Sequence, residues 1–122
     1  MENNYNKYVD LASRAIEGLC QSYSTDIEEI PTEFPHVYID LCYSNPYETL
    51  SKTEEARKLD IECQIYTSGS IRASEGMAIA DLLKNAFLGI GFSCTYGPKR
   101  IPNYKDPRIC RTVIRFRGID CD

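Results

Sequence analysis

The chain has 122 residues, of which 43% are hydrophobic and 26% are charged, and its formal net charge is −4. This length predicts a single domain over residues 1–122 and is too short for a two-domain enzyme. The hydrophobic and charged fractions are those of an ordinary globular protein. No stretch approaches the roughly 20 apolar residues that a transmembrane helix needs. The first ten residues are polar and acidic, so we expect no secretory signal and an origin in the cytoplasm.

The cysteines are widely spaced, and no two of them form a CxxC or CxC motif. Structural zinc sites usually take their ligands in close pairs, and His36 is the single histidine that could complete a mixed site. We therefore expect reduced, mostly buried thiols and neither a metal site nor a disulfide framework. The six cysteines are Cys20, Cys42, Cys63, Cys94, Cys110 and Cys121.

The first predicted element is an amphipathic helix over residues 4–23, because apolar residues recur there at three- and four-residue spacing. Residues 24–36 then break the pattern with two prolines and four acids, which indicates a solvated connector. The apolar stripe of the helix consists of Tyr5, Tyr8, Val9, Ala12, Ala15, Ile16, Leu19 and Tyr23.

Two strands with alternating polarity follow, over residues 36–44 and 57–68, separated by a polar loop. A sheet with one polar face is usually antiparallel and carries helices on its apolar face. The inward side chains are predicted to be Val37, Ile39, Leu41 and Tyr43 in the first strand and Leu59, Ile61, Cys63 and Ile65 in the second.

A second helix is predicted over residues 68–92, with Ser70 as its N-cap and Gly89 and Gly91 where a left-handed residue would end it. Gly76 lies inside this helix at a cost of about 1 kcal/mol of helix propensity, which suggests close packing against a neighbour. The predicted buried stripe is Ile71, Ala78, Leu82, Leu83, Ala86 and Phe87.

The chain is predicted to end with a short strand over residues 92–96, a basic loop over residues 97–108 and a strand over residues 111–120. Alternation in the last strand puts three arginines on the face opposite Thr112, Ile114 and Phe116. The element order is therefore α-β-β-α-β-β. It predicts an α+β fold, with an antiparallel sheet of about four strands and two helices packed on one face.

No convergent set of nucleophile, base, paired carboxylates or metal ligands is apparent, so we expect no enzyme activity, no catalytic residues and no cofactor. A small nucleic-acid-binding module is an alternative, because the basic last strand and nearby tyrosines could contact phosphates and stack on bases. The acidic balance of the whole chain argues against this alternative.

Charge is distributed unevenly, with nine acids against two bases in residues 1–50 and seven bases against one acid in residues 97–117. If the last strand pairs beside residues 57–68, its arginines share a face with Asp60 and Glu62, which can balance two of the three. The other basic residues need the acidic part of the chain, within the monomer or on a neighbouring copy. A head-to-tail contact between copies can close into a ring. The predicted interface residues are Lys99, Arg100, Tyr104, Lys105, Arg108, Arg111, Arg115, Arg117, Tyr47, Glu48, Glu28 and Glu29.

The motifs between residues 34 and 120 resemble one known family. They are, in order, "FPHVYIDL", "ARKLDIECQIYTSG", "SIRASEGMAIADLL", "NAFLGIGFSCTYG" and "CRTVIRFRGID". This order is similar to that of the tail terminator (tail completion) proteins of long-tailed bacteriophages and related prophage elements.

The resemblance implies a structural virion protein that forms a ring, hexameric in the family. That ring caps the tail tube, ends its polymerisation and offers the docking surface for the head connector. The implied partners are further copies of the chain, the tail tube protein, the connector, a sheath protein if the tail is contractile, and DNA in the channel, with no membrane. The implied location is the virion, assembled in the cytoplasm of a bacterial host. A head–tail connector (neck) protein of the same particle is the alternative.

Overall fold

The computed structural model describes residues 5–25, 31–43, 57–101 and 106–120. Two helices and five strands lie within these ranges. Their order along the chain is α1 (Tyr5–Ile16), β1 (Ser22–Ser24), β2 (His36–Tyr43), β3 (Arg57–Ser68), α2 (Arg72–Gly89), β4 (Ser93–Ile101) and β5 (Ile109–Asp120).

The strands form one five-stranded sheet in the order β1-β2-β3-β5-β4. β1 pairs with β2 in parallel, whereas the pairs β2–β3, β3–β5 and β5–β4 are antiparallel. The α+β class is confirmed, and the last strand does pair beside β3, the arrangement considered for its arginines. The prediction of four antiparallel strands was incomplete, because the sheet is mixed and the element order is α-β-β-β-α-β-β.

The missed strand, β1, lies where the apolar stripe of the first helix was predicted to continue. The helix ends at Ile16, and Leu19 and Tyr23, the last two residues of the predicted stripe, are exposed. The segment Ser22–Ser24 has only three residues, which is too short to show the period-two alternation by which strands are recognised.

Both helices contribute to a single core against the apolar face of the sheet, as predicted. From α1 the buried side chains are Tyr8, Val9, Ala12 and Ile16, and from α2 they are Ile79, Ala80, Leu83 and Phe87. Their partners in the sheet are Val37, Ile39, Leu59, Ile61, Cys63, Ile65, Ile114 and Phe116. No helix in the described ranges has both the length and the apolar character needed to span a membrane.

The predicted start and buried face of α2 need correction. The N-cap position is occupied by Ile71 and not by Ser70, and no side chain caps the helix. Ile71 and Ala78 are exposed, while Gly76, Ile79 and Ala80 are buried together with the correctly predicted Leu83 and Phe87. Apolar residues surround this helix on most sides, so their spacing did not identify which side faces the sheet. Of the two glycines predicted to end the helix, Gly91 has the left-handed conformation, with φ +92°, whereas Gly89 is the last helical residue.

The close packing predicted at Gly76 is confirmed. A Cβ atom at this position would lie 2.6 Å from Oγ1 of Thr112 on β5 and 3.6 Å from Oγ1 of Thr67 on β3. Both threonines are almost completely buried. The missing side chain therefore lets α2 approach the centre of the sheet, which offsets the cost of a glycine in a helix.

β4 is longer than predicted, since it continues to Ile101 through residues that were assigned to the basic loop. Gly97 and Pro98, the first residues of the predicted loop, lie where the register with β5 is irregular, between Tyr96 and Lys99. Proline is tolerated at such a position because β4 is an edge strand. Lys99 and Arg100 are consequently strand residues at the border of the sheet.

Candidate interface on the outer sheet face

The sheet face opposite the helices, here called the outer face, carries rows of polar side chains that run across four strands. One row contains Asp40 of β2, Glu62 of β3, Arg115 of β5 and Tyr96 of β4. The next row contains Cys42, Asp60, Arg117 and Ser93. The acidic groups of the two rows lie on β2 and β3, and the arginines lie on β5. The charge therefore changes sign across the face.

Glu62 is the centre of a hydrogen-bonded network on this face. Arg115 Nε donates to Glu62 Oε1 at 2.6 Å, and Gln64 Nε2 donates to Glu62 Oε2 at 2.9 Å. Tyr66 Oη then donates to Gln64 Oε1 at 2.9 Å. The guanidinium of Arg115 also lies 4.7 Å from the ring centroid of Tyr96, within the range of a cation–π contact. These contacts hold the Arg115 side chain of β5 between groups of β3 and β4, the two strands that flank β5.

Arg117 makes a second ion pair within the same sheet. Its Nε donates to Asp60 Oδ1 at 2.7 Å, and its Nη2 donates to Asp60 Oδ2 at 3.4 Å. About half of each side chain remains exposed, so the pair contributes little to stability, about 0.2–1 kcal/mol. Together with the Glu62–Arg115 pair, it confirms that β5 arginines share the outer face with these two acids.

The network makes stability depend on pH through Glu62. Burial alone would raise the pKa of Glu62, but hydrogen bonds from Gln64 and Arg115 and the positive charges of Arg115 and Arg111 outweigh burial and lower it. The unfolded chain therefore binds a proton at Glu62 more readily than the folded chain does. The contribution of this group to stability is present above its ordinary pKa of 4.5 and is lost as the pH falls through the lowered, folded-state value.

We expect Glu62→Gln to remove this pH dependence. Below about pH 4.5 the free energy of unfolding of the original protein should fall more steeply than that of the variant, because glutamine does not titrate. Urea denaturation at a series of acidic pH values measures both slopes. Asp81→Asn, at an exposed position on α2, is the control and should keep the original slope. Equal slopes in the original protein and the Glu62 variant would contradict the expectation.

A groove of about 450 Å³ crosses the outer face between β2 and β4. Acids line its β2–β3 side and arginines its β5 side, so it can form ion pairs and hydrogen bonds with a polar partner surface. No group of three or more histidine, cysteine or acidic side chains that could hold a metal ion occurs among the described residues. The lining residues are Asp40, Cys42, Asp60, Ile61, Glu62, Thr95, Tyr96, Arg115, Phe116 and Arg117.

His36 connects the short edge strand β1 to β2. The hydroxyl of Ser22 lies 2.6 Å from His36 Nδ1, and that of Ser24 lies 2.9 Å from Nε2. Burial lowers the pKa of His36, and the nearby charge of Glu33 opposes this effect. Both ring nitrogens are occupied by serine hydroxyls, so the imidazole fixes β1 against the sheet.

The other predicted interface residues within the described ranges differ in whether an acidic group pairs with them. Arg108 pairs with Asp106 of its own turn at 3.0 Å. Arg111 lies on the outer face, with its Nε buried and without a hydrogen-bond acceptor among the described residues. Lys99 and Arg100 are exposed, and neither has an ion pair within the described ranges. The predicted interface residues outside the described ranges are Glu28, Glu29, Tyr47, Glu48, Tyr104 and Lys105.

The sequence interpretation missed the contributions of Gln64, Tyr66 and Tyr96 to this face. Gln64 and Tyr66 alternate with the predicted inward residues of β3, and their spacing of two residues allows contact along one face of a strand. The contact between Arg115 and Tyr96 depends on the irregular register of β4, which alternation alone does not reveal.

The fold is similar to that of one chain in a solved structure, the "Virion of native gene transfer agent (GTA) particle". The TM-score is 0.62 at 12% sequence identity, and the similarity covers 96% of this chain and 91% of that chain. No family model matches the sequence, and no curated protein matches it. At this identity the likeness establishes a shared fold over nearly the full length of both chains.

Proposed function

We propose that this protein is a structural subunit of the virion of a tailed bacteriophage or related particle. In this proposal it forms a closed ring, hexameric as in the tail terminator family, that caps the tail tube and ends its polymerisation. The exposed side of the ring then receives the head connector. The protein acts by binding and carries out no reaction.

The observation that carries the proposal is the fold shared with a virion chain over 96% of one chain and 91% of the other. A likeness of this extent exceeds a common supersecondary motif. The motifs that resemble tail terminator proteins cover residues 34–120, and they support the same class of particle independently of the fold.

The chemistry of the outer face also supports a binding role. The arginines and acids at its centre are engaged with one another in ion pairs and a hydrogen-bonded network, whereas a catalytic site needs a nucleophile or base held ready for a substrate. Arginine and tyrosine, both present on this face, are enriched in contacts between protein surfaces. A groove with both signs of charge can orient a partner that carries the opposite arrangement.

Assembly and tube capping can be tested with purified protein. Size-exclusion chromatography with light scattering, over a wide concentration range, should give a mass of several copies. When the protein is added to polymerising tail tube protein of the same particle, electron microscopy should show shorter tubes with a ring at one end. The control is addition after polymerisation has finished, which should cap tubes without shortening them.

Two results would overturn parts of the proposal. A monomer at every concentration, together with unchanged tube lengths, would contradict a ring-forming cap. A ring that binds the head connector and leaves tube growth unchanged would favour the neck protein.

A further inference from the structure

The two borders of the sheet differ in length and in charge. β4 forms one border, and within the described residues no strand pairs with its outer side. Lys99 and Arg100 lie near its end, and they project to opposite faces because they pair with successive residues of β5, Val113 and Thr112. Basic side chains therefore flank this border on both faces of the sheet.

β1 forms the opposite border. The segments before and after it each carry a described acid, and one described base, Arg14, lies in the last turn of α1. Glu33 is exposed and close enough to His36, the partner of Ser22, for its charge to act on that ring. Glu17 is exposed in the turn that leads from α1 into β1. Two large side chains beside this border, Leu19 and Tyr23, are also exposed, at 46% and 44%.

The strand directions make the two borders compatible. β1 and β2 run in one direction, β3 in the opposite direction, β5 in the first direction again and β4 opposite to it. When two copies are placed side by side with their sheets in the same orientation, β4 of one copy is antiparallel to β1 of the next. Antiparallel pairing at an exposed border is a common way for a sheet to bind another chain.

We propose that β4 of one copy pairs with β1 of a neighbouring copy, so that Lys99 and Arg100 face the acidic surface formed by Glu17 and Glu33. This inference rests on the proposed function, because it specifies the contact between subunits of the ring. The contact is head-to-tail, and repetition of it closes a ring when the rotation between copies permits.

Pairing of β4 with β4 in a two-fold dimer is the main alternative, and the charges disfavour it. Such a dimer would bring Lys99 and Arg100 of both copies together, and like charges across a border repel. Charged residues on an edge strand commonly prevent pairing with an identical edge. They prevent self-pairing of β4 while favouring an acidic partner, which β1 and its surroundings supply.

Two complementary charge-reversal variants test the contact. The first combines Lys99→Glu with Arg100→Glu, and the second combines Glu17→Lys with Glu33→Lys. All four side chains are exposed, so both variants should fold, which circular dichroism and thermal unfolding verify. Each variant alone places like charges across the contact and should associate roughly tenfold more weakly, or worse, than the original protein in sedimentation velocity.

An equimolar mixture of the two variants should recover assembly. Acidic β4 then meets basic β1 in one contact, and the original charges meet in the next, so the ring alternates between variants. In a β4–β4 dimer, by contrast, the second variant alone would associate as well as the original protein, and that result would overturn the proposal. Asp10→Lys with Asp81→Lys, at exposed positions on the helices, is the matched control and should assemble normally.

The experiment separates this inference from the proposed function. If the original protein assembles and both variants assemble equally well, the β4–β1 contact is wrong while a ring formed through another surface remains in place. If the original protein stays monomeric at every concentration, both the contact and the ring-forming function are contradicted.

Discussion

Replacing Phe87 with alanine should lower the free energy of unfolding by about 3–5 kcal/mol. The Phe87 side chain is completely buried and stacks on Phe116 of β5, with 4.8 Å between ring centroids. Its ring also lies 5.9 Å from that of Phe92, which follows α2. Truncation would remove this aromatic contact between α2 and β5 and leave a cavity that rigid strands cannot fill. Urea denaturation followed by circular dichroism measures the loss.

The next residue in the chain provides the control for this prediction. Leu88 is 43% exposed, so Leu88→Ala removes little buried surface and should change stability by about 0.5 kcal/mol or less. If the two variants lose similar amounts of stability, α2 does not face the sheet through Phe87, and the buried side of this helix is different.

The parts of the fold that followed from the sequence are those with one buried and one solvated face. Polar and apolar residues alternate in β2, β3 and the last strand because every second side chain enters the core. On the buried face, Ile61 of β3 pairs with Phe116 of the last strand. The burial of α2 did not follow in the same way, because apolar residues occupy several sides of that helix. Its contact with the sheet is decided by Gly76 and Thr112, and a pair this far apart in the chain leaves no local pattern.

The site shows the same division between local and long-range information. Alternation places Arg115 and Arg117 on one face with Glu62 and Asp60 once the last strand pairs beside β3, and both ion pairs are present. Alternation says nothing about Tyr96, because its position opposite Arg115 depends on an irregular register. It also could not show that Arg115 and Arg117 form ion pairs within the sheet, whereas Lys99 and Arg100 lie beyond the irregularity, at the border of the sheet.

Reversal of charge at both Arg115 and Arg117 to glutamate should destabilise the folded chain by about 1–2 kcal/mol. Each change removes one ion pair and places two carboxylates opposite each other on neighbouring strands, where like charges repel. Urea denaturation measures the loss, which should shrink as salt is added, because exposed charges are screened. Lys58→Glu, at an exposed position of β3, is the control and should be nearly neutral.

A swap of the charges between the two strands identifies which molecule these arginines contact. Combining Arg115→Glu and Arg117→Glu with Asp60→Arg and Glu62→Arg restores opposite charges within the sheet, so most of the lost stability should return. We expect assembly to be retained in both the double reversal and the swap, because the β4–β1 contact does not involve these side chains. Recovered stability with loss of assembly would instead mean that the arginines bind a neighbouring copy directly, as the charge distribution of the sequence suggested. No recovery of stability would contradict the ion pairs themselves.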